Sequence, residues 1–154
     1  MKQNLTAQSK RRVIVVAPGE VVSGGPEALH QLAAALIELG GEAAMCYFPF
    51  EKKFTSSPHY QTYGVPTCHF DEIGDAEVIL PEARTGFSRL FQPDHTWIWW
   101  LSVDNYDGAL LDGVDRGDSE RHRPIRELGD CNHLSQSNYA THFLKTNGLN
   151  SLPL

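Results

Sequence analysis

The stretch GEVVSGGPE, residues 19–27, comes closest in this sequence to the residue types and spacing of a phosphate-binding loop. It follows the apolar run VIVVA and leads into a helical pattern. Backbone N–H groups at a helix N-terminus bind anions, and glycine lets a ligand approach the backbone closely. The stretch therefore predicts contacts from Gly24 and Gly25 to an anion such as a diphosphate. A tight strand-to-helix turn would use the same two glycines, so that plainer interpretation stays open.

Two common nucleotide-binding motifs do not fit this loop. The spacing from Gly19 to Gly24 matches G-x-x-x-x-G, but Gly25 and Pro26 stand where a P-loop has its Lys and its Ser or Thr. This argues against an ATPase or GTPase. The dinucleotide fingerprint G-x-G-x-x-G is absent, and the second predicted strand ends in CYFPF, without an acidic residue to hold a ribose hydroxyl. NAD binding is therefore a weak interpretation.

Other residues with possible chemistry give weaker signals. His30 falls inside a predicted helix, His95 begins a strand and His133 lies in mid-strand, so none is an obvious general base. Residues 68–71 and 131–133 contain cysteine and histidine, but neither group gives the ligand set of a metal site. The sequence thus predicts no metal and leaves the catalytic residue unknown.

The elements that position these residues alternate between strand and helix. Strands are predicted over residues 12–17, 42–48, 76–82, 95–103 and 131–137, with the start of a sixth in LNSLPL at the end of the chain. Helices are predicted over residues 26–39 and 138–148, with a weaker one over 85–91. This alternation predicts an α/β fold, a three-layer Rossmann-like sandwich with a mostly parallel sheet.

The remaining segments are predicted to be irregular. Residues 1–10 are interpreted as a flexible tail before a single domain over 11–154, and residues 49–75 as a long connection. The charge-dense residues 112–130 predict an exposed loop with a short helix near its end. On strand 95–103, Trp97 and Trp99 share a face and Trp100 takes the other, which favours core packing over sugar stacking.

Ligand sites of parallel sheets lie outside the carboxyl ends of the strands, which selects a set of candidate residues. These are residues 19–27, 81–82, 104–105 and 135–139. Each has a plainer alternative. Glu27 suits the first turn of a helix because of the helix dipole, Glu82 could be a solvated surface residue, and Asp104 could cap the next helix.

Bulk composition restricts the function further. The chain has 154 residues with a net charge of −6, which argues against general binding to nucleic acid or anionic membranes. Its three cysteines are an odd number without C-x-x-C spacing, which favours a reducing, cytoplasmic location over a disulfide framework. No apolar run approaches the roughly 20 residues of a membrane span. The composition predicts a cytoplasmic protein without a membrane span.

Four segments together resemble a known family. They are GGPEALHQLAAAL, the PE after the third predicted strand, WIWWLSVDNY and HLSQSNYATHFLKTNG. Their order and their placement at strand ends resemble the N-terminal half of GT-B glycosyltransferases, among them bacterial polysaccharide-type enzymes of the retaining group. The resemblance covers residue 13 to about residue 154, nearly the whole chain.

The resemblance implies two Rossmann-like domains that face each other across a cleft, with the N-terminal domain mainly recognising the acceptor. It implies that Gly24 and Gly25 face the donor phosphates of a sugar nucleotide, which is a co-substrate; no separate cofactor is implied. Together with the residues selected above, the predicted cleft-lining set is Ser23, Glu27, Glu82, Asp104, Asn105, Tyr106, Gln136, Ser137 and Tyr139.

A full GT-B enzyme has a second, nucleotide-binding domain that this sequence does not contain. The first hypothesis is therefore the acceptor-side domain of a sugar-nucleotide-dependent glycosyltransferase of polysaccharide synthesis, inactive or weakly active by itself. A C-terminal domain or a homodimer would complete its cleft. The second hypothesis is a non-enzymatic α/β module that binds a partner protein or a small anion. It predicts an exposed apolar patch or a dimer that covers one.

Overall fold

The computed structural model describes residues 11–107 and 122–154, which form a six-stranded sheet with every described strand pair parallel. The strands are β1 (Val13–Pro18), β2 (Ala43–Phe48), β3 (Glu77–Pro81), β4 (Thr96–Trp100), β5 (Asn132–Ser135) and β6 (Leu152–Pro153). Their order across the sheet is β2-β1-β3-β4-β5-β6. The predicted Rossmann-like α/β fold is confirmed.

Two longer helices and several short helical turns connect the strands. The helices are α1 (Gly24–Glu38) and α2 (Asn138–Thr146), and residues 103–107 are also helical. The 3₁₀ turns are Gln61–Tyr63, Phe70–Glu72, Glu82–Leu90, Pro93–His95 and Ile125–Asp130. None of the helices in the described ranges has both the length and the apolar character needed to cross a membrane.

Helix α1 begins two residues earlier than the position of Pro26 suggests. Gly24 and Gly25 already belong to the helix, and the first backbone bond of the α-helical kind joins the Glu27 N–H to the Ser23 carbonyl at 3.0 Å. Proline is tolerated as the third helical residue because the amides of the first turn have no partner inside the helix. Gly24 and Gly25 are therefore the first two residues of α1 and do not form a separate turn before the helix.

The two faces of the sheet carry separate apolar cores. Leu29 and Ala33 of α1 pack with Val15 and Ala17 of β1 on one face. On the other face, Ile14 and Val16 pack with Ala140 and Leu144 of α2 and with Trp100. The alternation along β1 is the two-residue period of a strand buried on both sides. As predicted, Trp99 and Trp100 are buried on opposite faces.

The connections after β1 and after β3 run in opposite directions across the sheet. From β1 the chain moves through α1 to the edge strand β2, whereas from β3 it moves away through β4, β5 and β6. The neighbouring strands β1 and β3 therefore form the topological switch point, where α/β sheets have a crevice at their carboxyl edge.

Some segment boundaries differ from those predicted. Strand β4 ends at Trp100 instead of residue 103, since a helical turn starts at Val103. The predicted helix 85–91 is a 3₁₀ turn that starts at Glu82 and has non-helical backbone angles at Arg84. The predicted short helix near residue 130 is present as the 3₁₀ turn Ile125–Asp130. The predicted tail, residues 1–10, and residues 112–121 of the predicted loop lie outside the described residues.

Candidate functional site

A crevice with a volume of about 300 Å³ lies at the topological switch point, between the N-terminus of α1 and the turn after β3. Its lining residues are Pro18, Val21, Ser23, Gly25, Pro26, Leu29, Phe48, Pro81, Glu82, Ala83, Arg84, Leu101 and Asn105. The ends of four neighbouring strands contribute to it, because all of them reach the same edge of the sheet. The crevice combines apolar walls with a few polar groups, which is the usual composition of a ligand pocket.

The first two amides of α1 are available to a ligand. Within the described part of the chain, the N–H groups of Gly24 and Gly25 have no hydrogen-bond partner. A Cβ atom built on either glycine would meet no atom within 4 Å, so no packing requires glycine here. Only Gly25 lines the crevice, whereas Gly24 is exposed beside it. The amides at this helix end suit an anion.

Tyr60, from the connection between β2 and β3, holds the loop that precedes these amides. Its hydroxyl accepts a hydrogen bond from the Ser23 N–H at 3.2 Å and donates toward the carbonyls of Val21 and Ser23. Tyr60 is 3% exposed, and its ring stacks on His30 with the centroids 4.0 Å apart. No local pattern indicated this role of Tyr60, because the contact joins residues 37 positions apart.

His30 anchors the first turns of α1 through a buried chain of hydrogen bonds. Its Nδ1 lies 2.7 Å from the Pro26 carbonyl, which can only accept, so Nδ1 carries the proton. Its Nε2 then accepts from the Tyr47 hydroxyl at 2.7 Å, and Tyr47 accepts in turn from Ser56 at 2.8 Å. Burial lowers the pKa of His30, which favours this neutral form. His30 is thus a structural residue under the crevice.

Glu27 is turned away from the crevice, toward residues 59–63. Its carboxylate accepts a hydrogen bond from the Tyr63 hydroxyl and lies 3.2 Å from Nε2 of His59. These two contacts, with Tyr63 the stronger, hold the pKa of Glu27 below its ordinary value. Glu27 therefore ties α1 to the same connection that supplies Tyr60, and it does not line the crevice.

Glu82 forms part of the crevice wall and is 1% exposed, in contrast to the solvated surface position that the sequence also allowed. Its carboxylate accepts from the Ser102 N–H at 2.9 Å, from the Asn105 amide at 3.2 Å and from the Leu101 N–H at 3.4 Å. Burial raises the pKa of Glu82, and these donors act in the opposite direction. The side chain joins the carboxyl ends of β3 and β4.

Arg84 supplies a positive charge in the crevice wall, and it belongs to none of the motifs described above. Its guanidinium lies over the Phe48 ring, 5.0 Å from the centroid, and donates to the Ala83 carbonyl at 2.9 Å. The turn after β3 is broken at this residue, with φ −138° and ψ 39°. Its position three residues after the buried strand β3 was the available signal.

The three candidates after β4 have different locations. Asp104 is exposed, and Asn105 lines the crevice while donating to Glu82. Tyr106 lies in the core instead of the cleft. It is 3% exposed and packs edge-on against Trp100 at 5.0 Å. Because 103–107 is helical, successive side chains point to different sides, so only one of the three reaches the crevice.

The candidates after β5 share the carboxyl edge but not the crevice. Two strand spacings separate β5 from β3, which corresponds to about 10 Å. Ser137 is the N-cap of α2 and accepts from the Ala140 N–H at 3.1 Å, while the Gln136 N–H donates to the Trp100 carbonyl. Tyr139 is 62% exposed. These residues border the same edge as Ser23 and Asp104 without joining the pocket.

A second cavity, of about 460 Å³, lies at the opposite, amino edge of the sheet near β5 and β6. Although it is larger, it is away from the switch point and contains no charged lining residue. For an anionic ligand the carboxyl-edge crevice is therefore the better candidate. Within residues 11–107 and 122–154, no three His, Cys, Asp or Glu side chains are grouped to hold a metal ion.

In comparisons with protein-family models, curated proteins and solved structures, nothing matched this chain. The candidate site therefore rests on the geometry of the chain itself. Its main components are the free amides of Gly24 and Gly25, the Arg84 guanidinium and the buried Glu82 carboxylate.

Proposed function

We propose that this chain is the acceptor-side domain of a sugar-nucleotide-dependent glycosyltransferase that acts in cytoplasmic polysaccharide synthesis. The observation that carries the proposal is the crevice at the switch point, which is lined by Gly25 with its free helix amide and by Arg84, while the free amide of Gly24 lies beside it. This combination suits the phosphates of an activated sugar. The resemblance of the segments around Gly24, Glu82, Asp104 and Gln136 to GT-B enzymes supports the same choice.

In this proposal the described residues bind and orient, and none is assigned as the catalytic base. The amides of Gly24 and Gly25 and the Arg84 guanidinium bind the donor phosphates, while Glu82 holds Asn105 in the wall of the crevice. A volume of about 300 Å³ is at the lower end for ligand pockets. The crevice would therefore hold the phosphate and sugar part of the donor, and a second wall would hold the nucleoside.

That second wall would come from a further domain or from a second copy of the chain. Sugar transfer requires donor and acceptor to be held in line and water to be excluded. We therefore expect this chain by itself to bind nucleoside diphosphates weakly and to transfer sugar slowly or not at all.

The test is a titration of the ¹⁵N-labelled chain with UDP, GDP and dTDP-sugars, followed by the amide resonances of Gly24 and Gly25. Binding should shift both resonances and leave those at the amino edge unchanged. The variant Gly25→Ala adds a methyl group to the crevice and should weaken binding by about tenfold. Gly24→Ala is the matched control, because that position does not line the crevice, and it should change affinity much less.

Two outcomes contradict the proposal. One is tight binding of a nicotinamide dinucleotide at the crevice, and the other is the absence of any shift at Gly25 with all the sugar nucleotides. Rapid sugar transfer by the isolated chain would contradict the requirement for a second wall.

One observation favours the alternative, a module that binds a partner protein. Val21, which lines the crevice, and Val22, which follows it in the loop, are 43% and 53% exposed. Neighbouring apolar side chains in a loop suit a protein contact. Sedimentation of the wild type and of a Val21→Ser, Val22→Ser double variant would detect self-association through this loop. The single variant Val22→Ser, which changes no lining residue of the crevice, should leave the sugar-nucleotide shifts in place if the crevice is a ligand site.

A further inference from the structure

The cavity at the amino edge of the sheet has a composition unlike that of the crevice. It is lined by Trp97, Gly129, Cys131, Asn132, His133, Gly148, Leu149, Asn150, Ser151 and Leu152. No lysine, arginine, aspartate or glutamate is among these residues, although the chain as a whole has a net charge of −6. The cavity therefore offers no ionic partner to an anion or a metal ion.

Trp97 supplies the aromatic surface of this cavity. Its indole N–H donates to Oε2 of Glu77 at 2.8 Å, so the ring orientation is fixed by a residue outside the cavity. Since the N–H is used there, the part of the ring that lines the cavity presents carbon atoms. Trp97 is only partly buried, whereas Trp99 and Trp100 are 4% and 0% exposed.

Neutral hydrogen-bonding groups lie around this ring. The Asn132 side-chain nitrogen donates to the carbonyls of Asp94 at 3.0 Å and Thr96 at 3.4 Å, which fixes the amide and leaves its oxygen without a partner among the described residues. Asn150 is exposed and likewise makes no side-chain hydrogen bond to the described residues. Ser151 donates to Ser135 at 3.0 Å and can still accept.

We infer that this amino-edge cavity binds a neutral sugar residue. The C–H face of a sugar ring packs on the negative face of an indole ring, and its hydroxyls pair with amide and hydroxyl groups. An anion would lack a cation here, and a purely apolar ligand would offer no partner to the Asn132 side-chain oxygen or to the Asn150 amide. The volume of about 460 Å³ accommodates a small saccharide. This site is independent of the carboxyl-edge crevice.

The experiment is a titration of the ¹⁵N-labelled chain with three neutral trisaccharides: maltotriose, cellotriose and N,N′,N″-triacetylchitotriose. The readout is the indole N–H resonance of Trp97, assigned by its loss in Trp97→Phe, together with the backbone amides of Gly129 and Asn150. At least one trisaccharide should shift these resonances and leave Gly25 and the indole of Trp99 unchanged.

Two glycine variants provide matched tests that preserve the fold. A Cβ at Gly129 would meet only Cδ2 of Leu149 at 4.0 Å, an ordinary contact, so Gly129→Ala narrows the cavity without a clash. It should weaken trisaccharide binding by about tenfold. Gly25→Ala at the opposite edge should leave trisaccharide binding unchanged.

Three results would overturn the inference. They are no shift of the Trp97 indole with any trisaccharide, unchanged affinity in Gly129→Ala, and a larger shift with adenosine than with any saccharide. Shifts confined to Gly25 would place sugar binding in the crevice, which would contradict this site and support the proposed function.

Discussion

Strand β3 has a glutamate near each end, and the two side chains lie in opposite environments. Glu77, at the amino end, is 25% exposed and pairs with the Trp97 indole and, at 3.6 Å, with Arg11. Glu82, after the carboxyl end, is 1% exposed and accepts from the backbone and side chain of the segment that follows β4. One carboxylate is a surface partner, and the other is part of the internal frame of the crevice.

The difference follows from the parallel arrangement of the strands. At the carboxyl edge each strand leads into a helix or turn whose first N–H groups are free, so donors converge on any acceptor placed there. At the amino edge the incoming segments bring carbonyl groups and solvated side chains. The carboxyl end of β3 therefore borders the polar, anion-compatible crevice, whereas the uncharged, aromatic cavity lies at the amino edge of the sheet, near β5 and β6.

The largest expected effect comes from removing the two carboxylates separately. Glu82→Ala leaves the Ser102 N–H and the Asn105 amide without their acceptor, and it should lower the free energy of unfolding by about 3 kcal/mol. Glu77→Ala removes a partly solvated partner and should cost about 1 kcal/mol or less. Urea denaturation of both variants measures the difference. Equal losses would show that burial at the carboxyl edge is not what distinguishes the two residues.

A smaller loss is expected when the hydrogen-bond chain under the crevice is broken. Tyr47→Phe removes the donor to His30 and the acceptor for Ser56, and it should lower the free energy of unfolding by about 1.5 kcal/mol. Tyr139→Phe is the control, since Tyr139 is 62% exposed, and it should change stability by less than about 0.5 kcal/mol. Thermal unfolding curves would compare the two variants. Equal melting temperatures would argue against an anchoring role for the hydrogen-bond chain through His30.

The pH dependence of stability tests the burial of Glu82 directly. The folded-state pKa of Glu82 is raised by burial above its ordinary value of 4.5. Its contribution is therefore fully present below 4.5 and is lost as pH rises through the folded pKa. The stability advantage of the wild type over Glu82→Gln should therefore shrink as the pH rises from 4.5 through the folded-state pKa of Glu82. Denaturant titrations at several pH values measure it, and an advantage that grows with pH would contradict the raised pKa.

The smallest effects concern two glycines, one at each edge. Gly25 is helical with open space around its Cβ position, so Gly25→Ala should raise the free energy of unfolding by about 0.5 kcal/mol. Gly148 has φ +77°, and Gly148→Ala should lower it by about 1 kcal/mol because of strain. Chemical denaturation shows whether each variant raises or lowers the free energy of unfolding. A destabilising Gly25→Ala would indicate that the fold itself requires glycine at the crevice.

The regular elements of the fold could be predicted because their signals are local. Strands β1 and β2 are uninterrupted apolar runs, and α1 has an apolar face with a helical period between glycines. The carboxyl-edge rule then selected Gly25, Glu82 and Asn105, which the structure brings together in one crevice. Local patterns sufficed for these residues because they directly follow strands.

The remaining site features depend on contacts between distant parts of the chain. Tyr60 came from a segment without a regular pattern, and its contact with Ser23 spans 37 residues. The burial of Glu82 depends on donors about 20 positions later, and that of Tyr106 on its packing against Trp100. Neither residue type nor spacing indicates such partners, because they are brought together only by the order of strands in the sheet.

By itself, the sequence determined the α/β class, the strand and helix segments, and the edge of the sheet on which the glycine loop lies. Hydrophobic periodicity and turn residues encode these features over a few neighbouring positions. Only the tertiary structure decided that Glu27 turns outward, that Glu82 is buried, that Arg84 faces the crevice and that Trp97 lines a separate cavity. Those outcomes depend on which strands become neighbours, since that order determines which polar groups are desolvated together.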